Sequence, residues 1–384
     1  MENDSTFELR KFVAPEFLFG MDARLLVGRY AKNLGARKVL LATDAGVDKA
    51  GWSGEAAESL AKEGIAVERF SEISPNPRDY EVSNGAERYQ SLGCDAIIAV
   101  GGGSVMDCAK GIGIVVSNGG SVLQYEGVDR VPVPMPPLIC IPTTGGTAAD
   151  VSQFAIINNT AEKVKIAIVS KALVPDLALI DPKTLVSMDP YLTACTGMDA
   201  LCHAIEAYVS NAHSAITDIH ALEAVRLIAE SLKETVDHPD NLDARGRVML
   251  ASLQAGLAFS NASLGAVHAM AHSLGGYKDL PHGECNALLL PHVIRYNYEA
   301  ASSRYDAIGS ALGASPSGDR KKIVAEAVAD LARLCGIDGG LGLRGVTMSD
   351  VSRLAEKAIH DPCNATNPRR PSQKDLETVF SESL

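Results

Sequence analysis

Two stretches of this chain place acidic and imidazole side chains one helical turn apart. Asp199 and His203 are separated by four positions, and His268 and His272 repeat that spacing. On an α-helix, each pair would share one face. His282 follows a Gly-Gly break and a proline, so a turn could bring it toward the same point. Burying one carboxylate and several imidazoles needs a compensating partner, and the pattern therefore predicts a buried divalent metal site.

A single pair of this kind has an ordinary alternative, because an isolated histidine is more often a core or surface residue than a ligand. Two pairs followed by a third histidine, on segments rich in Ala, Leu and Met, favour the metal. Three nitrogens and one oxygen suit Fe2+, Zn2+ or Co2+ better than Mg2+ or Ca2+. The ligand types alone do not separate iron from zinc.

Length and composition set the broad class of protein. The chain has 384 residues, 46% hydrophobic and 21% charged, which is typical of a globular protein of two domains. Its formal net charge of -12 disfavours nonspecific binding to nucleic acid and docking on an anionic membrane. The eight cysteines form no C-x-x-C pair, which favours reduced thiols. There is no signal-peptide pattern and no transmembrane-length apolar run, so we expect a cytoplasmic protein.

Strands and helices are predicted to alternate in the first half of the chain. The predicted strands are 37–44, 65–70, 95–100 and 137–142, and the predicted helices are 53–63, 80–92 and one that begins near 104. This alternation predicts a Rossmann-like parallel sheet with helices on its faces. Beyond about residue 192 long helical patterns dominate. We therefore expect an α/β nucleotide-binding domain at 1–188 and an all-α metal-binding domain at 189–384.

A glycine-rich turn follows the third predicted strand and opens a helix. Free N–H groups at such a helix start can bind a phosphate, and glycines let the phosphate approach closely. Gly101-Gly102-Gly103-Ser104 fits this context, although it matches neither the G-x-G-x-x-G fingerprint nor a Walker A loop. Taken alone, the turn could equally be structural.

Polar residues at two other predicted strand ends favour a nucleotide. Thr143, Thr144 and Thr147 lie where an open α/β sheet binds ligands. Asp44 ends the first predicted strand, where its carboxylate could accept from a ribose diol and repel a 2′-phosphate, which favours NAD over NADP. Asp44 could also cap the helix that follows, and both roles could hold together.

Six motifs are spread over almost the whole chain. They are Gly-Gly-Gly-Ser-x-x-Asp-x-Ala-Lys at 101–110, Pro-Thr-Thr-x-Gly-Thr at 142–147, Gly-Met-Asp-Ala-x-x-His-x-Ile-Glu-Ala-Tyr at 197–208, His-Ala-Met-Ala-His-x-Leu-Gly at 268–275, Pro-His-Gly-x-Cys-Asn-Ala-x-Leu-Leu-Pro-His at 281–292 and Thr-Asn-Pro-Arg at 366–369. Together they resemble the iron-containing (group III) alcohol dehydrogenases. The similarity is greatest to the branch of bacterial ethanol, 1,3-propanediol and lactaldehyde-reducing enzymes.

The resemblance implies an oxidoreductase that transfers a hydride between a primary alcohol, or its aldehyde, and NAD. It implies Fe2+ as the metal, with Zn2+ or another divalent ion as alternatives, and a homodimer or larger homo-oligomer. The implied metal ligands are Asp199, His203, His268 and His282. His272 is implied to stand outside the ligand set as a proton-relay or positioning group. The implied cofactor residues are Asp44, Asn76, Gly101, Gly102, Gly103, Ser104, Asp107, Thr143, Thr144, Thr147 and Lys165.

Three positions depart from the family pattern. Asp150 stands where Glu is usual, Glu284 where an apolar residue is more common, and Cys202 where Thr is common. We expect Glu284 to face solvent and Cys202 to be a small buried side chain.

Two other functions stay open. A lyase similar to the dehydroquinate synthases would also use NAD and a metal, but the metal motifs match the alcohol dehydrogenases better. A catalytically quiet, dehydrogenase-like regulatory protein is the second alternative, which the intact ligand set disfavours.

Overall fold

The computed structural model describes residues 9–384, which form two compact units. The first unit is Ala14–Asp189, and the second joins Pro190–Leu384 to the segment that ends at Val13. The strands of the first unit are β1 Glu16–Phe19, β2 Lys38–Ala42, β3 Ala66–Phe70, β4 Ala96–Gly101, β5 Gly127–Val128, β6 Leu138–Pro142, β7 Phe154–Asn159, β8 Val164–Val169 and β9 Leu177–Ile180. Its α-helices are α1 Val27–Asn33, α2 Ala45–Ala50, α3 Trp52–Lys62, α4 Asp79–Leu92 and α5 Gly103–Asn118.

Six strands form a parallel sheet in the order β1-β9-β6-β4-β2-β3. Every residue of β4 and β6 is buried, as expected for strands covered on both faces. Successive residues of β2 enter different cores, because Leu40 packs with α4 and α5 whereas Val39 and Leu41 pack with α1 and α3. The sheet is therefore the middle layer of three, and the predicted fold class is confirmed.

A second, smaller sheet has the order β5-β8-β7, with β7 and β8 antiparallel. The sequence patterns predict β2, β3, β4 and β6, but they predict neither this sheet nor the flanking strands β1 and β9. The described part of the first unit is thus richer in strand than expected.

Helices are the only regular secondary structure among the described residues of the second unit. Its α-helices are α6 Pro190–Val209, α7 Ala215–Asp237, α8 Leu242–Ala262, α9 Ala266–Lys278, α10 His282–Asn297, α11 Ser302–Ala311, α12 Arg320–Leu334, α13 Met348–Ile359 and α14 Gln373–Glu382. Helix α6 is buried without a break from Thr193 to Val209, so it forms the centre of this unit. Over residues 9–384, none of the helices combines the length and the apolar character that a membrane span needs.

Candidate metal centre and nucleotide-binding turn

The four side chains expected to bind metal converge in the second unit. Asp199 and His203 lie one turn apart on α6, His268 lies on the first turn of α9, and His282 begins α10. The Nε2 atoms of His203, His268 and His282 lie 3.9, 3.7 and 3.7 Å from Asp199 Oδ1. Four ligands about 2.1 Å from one tetrahedral ion would lie about 3.4 Å apart, so these atoms can share one cation.

The hydrogen bonding of these groups fits a cation. Asn286, one turn after His282, donates from Nδ2 to Asp199 Oδ1 at 2.6 Å. The same Nδ2 lies 3.2 Å from the Nε2 atoms of both His268 and His282. An amide nitrogen carries only two hydrogens, so Nδ2 cannot donate to all three of these atoms, and a cation among them would supply the missing partner. The residues present therefore suit a divalent ion.

The carboxylate of the site is held in its charged form. Asp199 is only 2% exposed, and burial by itself raises its pKa. The three surrounding imidazoles outweigh burial, so the pKa of Asp199 lies well below its usual range. The Asp199 carboxylate is thus anionic across the physiological pH range.

His272 stands beside the four-residue cluster rather than in it. Its ring stacks on His282, with ring centroids 5.4 Å apart and planes 10° apart. Its Nδ1 lies 2.8 Å from Asp361 Oδ2. On the other flank of the cluster, Phe259 stacks on His203 at 4.3 Å.

In the first unit, the glycine-rich turn joins β4 to α5. A Cβ on Gly102 would lie 3.0 Å from Thr144 Cγ2, and one on Gly103 would lie 2.7 Å from Thr147 Cγ2. The loop after β6 therefore packs directly on the turn, and glycine is required there. The N-cap residue of α5 is Gly102, which has no side chain to cap the first N–H groups, so these groups can bind an anion.

Three further expected cofactor residues follow neighbouring strands. Ser104 Oγ accepts the N–H of Asn76 at 3.3 Å. Asp44 Oδ1 accepts the N–H groups of Gly46 and Val47 at 2.8 and 2.9 Å, so Asp44 caps α2. These residues follow β4, β3 and β2, whose carboxyl ends lie at one edge of the sheet, where open α/β sheets bind ligands.

Two charged side chains lie on α5 behind the turn. Burial raises the pKa of Asp107 to about 7, opposed by the ammonium group of Lys110, and Lys165 is a second cation close to this carboxyl. Lys110 Nζ donates to the backbone oxygens of Ser152 and Phe154, each at 2.8 Å. Lys110 thus fastens α5 to the segment that leads into β7.

The comparisons with known proteins decide the family. A model described as iron-containing alcohol dehydrogenase matches residues 14–182. A second model, for the C-terminal part of the Fe-containing alcohol dehydrogenase family, matches residues 193–384. The chain belongs to the iron-containing alcohol dehydrogenase family.

Relatives match this family member over nearly its whole length. It is 41% identical to the 1,3-propanediol dehydrogenase of Citrobacter freundii over 372 residues, which cover 95% of this chain and 96% of that protein. It is 37% identical to the NAD-dependent methanol dehydrogenase of Bacillus methanolicus, covering 97% and 99% of the two chains. The crystal structure of a 1,3-propanediol oxidoreductase superposes with a TM-score of 0.95 at 39% identity, covering 98% of this chain and 100% of that one. The expected family and oxidoreductase class are confirmed, as are NAD and iron as the cofactors of the family. The two alternative functions are not supported.

Two carboxylates of the enzyme contact its histidines but were not predicted as functional. Glu206 Oε2 lies 2.6 Å from His268 Nδ1, and Asp361 Oδ2 lies 2.8 Å from His272 Nδ1. A signal existed for Glu206, because it follows His203 by three positions on the same helix. No sequence pattern linked Asp361 to His272, from which it is 89 positions away.

The expectation that Glu284 faces solvent is wrong. Glu284 is 6% exposed, and its Oε1 accepts from Arg344 Nε at 2.8 Å. The ion pair compensates the buried charge, and a carboxylate in the first turn of α10 also suits the helix dipole. Cys202 is buried, as expected, and its Sγ lies 3.8 Å from His268 Nδ1.

Replacing Lys110 by methionine should destabilise the enzyme by about 3 kcal/mol, because two buried carbonyls, one buried carboxyl and one partly buried carboxyl would lose a cation. The carboxyls are those of Asp107 and Asp150, both of which respond to the charge of Lys110. Denaturant unfolding of the whole chain measures the loss. Lys32→Met is the control, since Lys32 makes only an exposed ion pair with Glu63. Equal stability of the two variants would contradict the assigned role.

We also expect Asp107 to give the enzyme a pH-dependent stability. Its pKa is raised to about 7 in the folded chain, so it contributes stability that is present below about pH 4 and lost as the pH rises to about 7. The difference in thermal midpoint between the wild type and Asp107→Asn, without NAD, should therefore fall across this window. A difference that grows with pH would contradict this assignment.

Proposed function

We propose that this chain interconverts a primary alcohol and its aldehyde, with NAD and a divalent metal as cofactors. The convergence of Asp199 with three imidazole nitrogens carries the proposal, because these groups suit one catalytic cation. Membership of the iron-containing family and the NAD named for the Bacillus methanolicus relative support it.

We propose Asp199, His203, His268 and His282 as the ligands, with Fe2+ as the metal and Zn2+ as an alternative. When bound, the ion supplies Lewis acidity toward the substrate oxygen, and NAD carries the hydride. The chain's own part is to hold the ligand atoms in place. Stacking of His203 on Phe259 and burial of α6 restrict their movement before any ion binds.

We assign the nucleotide to residues 1–188 and the metal chemistry to residues 189–384. The first N–H groups of α5 and the Ser104 hydroxyl would hold the pyrophosphate. Asp44 accepts both cap bonds at Oδ1, which leaves Oδ2 to accept from the ribose diol. The proposed cofactor residues are Asp44, Asn76, Gly101, Gly102, Gly103, Ser104, Asp107, Thr143, Thr144, Thr147 and Lys165.

His272 is the proposed proton acceptor for the substrate hydroxyl. Its Nδ1 donates to Asp361, so its Nε2 carries a lone pair that can take up a proton. Burial raises the pKa of Asp361, but the nearby imidazole outweighs burial and holds that pKa below its usual range. An ionised Asp361 therefore keeps His272 in one tautomer.

Asp361→Asn should lower turnover by about a hundredfold while the bound metal stays in place, because the isosteric amide no longer fixes the tautomer of His272. NADH formation and metal content, measured on the same preparation, test this. Asp218→Asn is the control, since Asp218 makes a similar contact of 3.2 Å with His213. Unchanged turnover in Asp361→Asn, or loss of its metal, would contradict the role.

We propose that the chain forms a homodimer or larger homo-oligomer through β1. Among residues 9–384 this strand pairs only with β9, and Phe17 and Phe19 are each 39% exposed on it. An open strand edge with aromatic side chains is usually covered. Light scattering of the wild type should give at least twice the chain mass, and Phe17→Lys with Phe19→Lys should reduce it. A monomeric wild type contradicts this assembly.

A cytoplasmic location is proposed as well. All eight cysteines are free thiols in the structure, the state that a reducing compartment maintains.

The activity is tested by following NADH absorbance with anaerobically purified protein reconstituted with Fe2+. Ethanol, 1-butanol, 1,2-propanediol and 1,3-propanediol serve as substrates, each with and without a chelator. We expect turnover on at least one alcohol, lost with chelator and restored by Fe2+. Protein that binds NAD and metal yet turns over no alcohol or aldehyde would contradict the proposal, as would activity that a chelator leaves unchanged.

A further inference from the structure

A buried carboxylate touches both a proposed metal ligand and the helix that carries it. Glu206 is 3% exposed and belongs to α6. Its Oε2 lies 2.6 Å from His268 Nδ1 and accepts the N–H of Gly265 at 3.0 Å. Its Oε1 accepts the N–H of Val267 at 2.7 Å. One carboxylate therefore serves three donors.

The backbone contacts of Glu206 compensate for a missing cap. The N-cap residue of α9 is Gly265, which has no side chain to cap the first turn. A negative charge at a helix N-terminus is favourable, and the two N–H groups bound by Glu206 belong to that terminus. Glu206 thus fixes the start of α9 from α6, and His268 lies on the same turn.

A second side chain caps the same helix start without touching the imidazole. Asn367 Oδ1 accepts the N–H of Ala266 at 3.1 Å, and Asn367 exchanges two hydrogen bonds with Asn297. A Cβ on Gly265 would lie 2.7 Å from Asn367 Oδ1 and 2.9 Å from Glu206 Oε1. The Thr-Asn-Pro-Arg segment at 366–369 thus has a structural role, separable from the bond that Glu206 makes to His268.

We propose that Glu206 is a positioning residue of the metal centre. Its bond to Nδ1 orients the His268 ring, fixes the tautomer with the lone pair on Nε2, and makes this nitrogen a better donor to a cation. The inference rests on the proposed ligand set. A carboxylate with only a capping role would stabilise α9 and leave metal affinity unchanged, so the two roles are separable by experiment.

The test is the Zn2+ affinity of the metal-free full-length protein, measured by competition with a chromophoric chelator. Glu206→Gln should weaken Zn2+ binding by about tenfold to a hundredfold. Asn367→Ser, the matched control, should lower the thermal midpoint but leave Zn2+ affinity near that of the wild type. Wild-type affinity in Glu206→Gln would overturn the inference, as would an equal loss in the two variants.

Two further variants separate failure of the proposed ligand set from failure of the role of Glu206. His268→Ala tests the ligand set itself. Wild-type Zn2+ affinity in His268→Ala would refute the proposed metal centre. Loss of Zn2+ affinity in His268→Ala, together with normal affinity in Glu206→Gln, would refute only the role of Glu206. If Glu206→Gln does not fold, Glu206→Asp keeps the charge but shortens the reach to Nδ1. The visible absorption of its Co2+ form should then shift from that of the wild type, and an unchanged spectrum overturns the inference.

Discussion

Replacing His268 by alanine is expected to abolish both metal binding and turnover. Its Nε2 lies 3.7 Å from Asp199 Oδ1, while its Nδ1 is held by Glu206. Removal of the ring takes away one proposed ligand and leaves the buried Glu206 carboxylate without its imidazole partner, which is costly. The same loss is expected for His282→Ala. Metal content per chain and NADH formation, measured on the same sample, test both variants.

The control for these variants is a histidine outside the cluster. His238 is largely exposed, and its Nε2 lies 4.0 Å from Glu234 Oε2. His238→Ala should keep its metal and its turnover. Turnover in a His268→Ala protein that contains no metal would contradict the proposed ligand set.

Replacing Gly103 by alanine is expected to weaken NAD binding by about tenfold to a hundredfold, without loss of metal. The new Cβ would lie 2.7 Å from Thr147 Cγ2 and 2.8 Å from its Oγ1, so the turn and the loop after β6 must separate. That movement displaces the first N–H groups of α5 from the phosphate position. The dissociation constant of NAD, from calorimetry, and the metal content test the two halves of this expectation.

Helix α3 offers a matched control for Gly103→Ala. A Cβ on Gly54 would meet no atom within 4 Å, so Gly54→Ala adds the same methyl group without a clash. We expect it to bind NAD as the wild type does and to be slightly more stable, because alanine favours the helix. Equal NAD affinity in the two variants would show that the turn tolerates a side chain, against the proposed phosphate site.

Local spacing predicted the parts of the site that lie within single elements. Asp199 and His203 share a face of α6 because they are one turn apart. The glycine-rich turn precedes a helix, and its glycines permit the close approach of the next loop. The family resemblance supplied the full set of proposed ligands. Both kinds of prediction rest on short sequence segments, in which the residue types and their spacing determine the local geometry.

Local sequence patterns did not predict the contacts between segments that are far apart in the sequence. Glu284 was expected to face solvent, yet Arg344, 60 positions later, pairs with it. Asp361 reaches His272 in the same manner across 89 positions. A side chain's partner over such a separation is set by the packing of helices, which local patterns do not encode.

The missed strands have a related cause. β1 has the four residues Glu-Phe-Leu-Phe, a segment too short to show the apolar alternation that marks a strand. It is a strand because it pairs with β9, itself a four-residue apolar run that periodicity cannot distinguish from a helix segment. The β7–β8 hairpin is likewise defined by its cross-strand pairing.

We propose that Asp199, His203, His268 and His282 bind one catalytic metal ion. Anomalous X-ray diffraction at the iron absorption edge, from crystals grown anaerobically with Fe2+, tests this proposal. We expect a single strong anomalous peak per chain, about 2.1 Å from Asp199 Oδ1 and from the three Nε2 atoms. A peak elsewhere, or no peak in crystals of protein that is active with Fe2+, would contradict it.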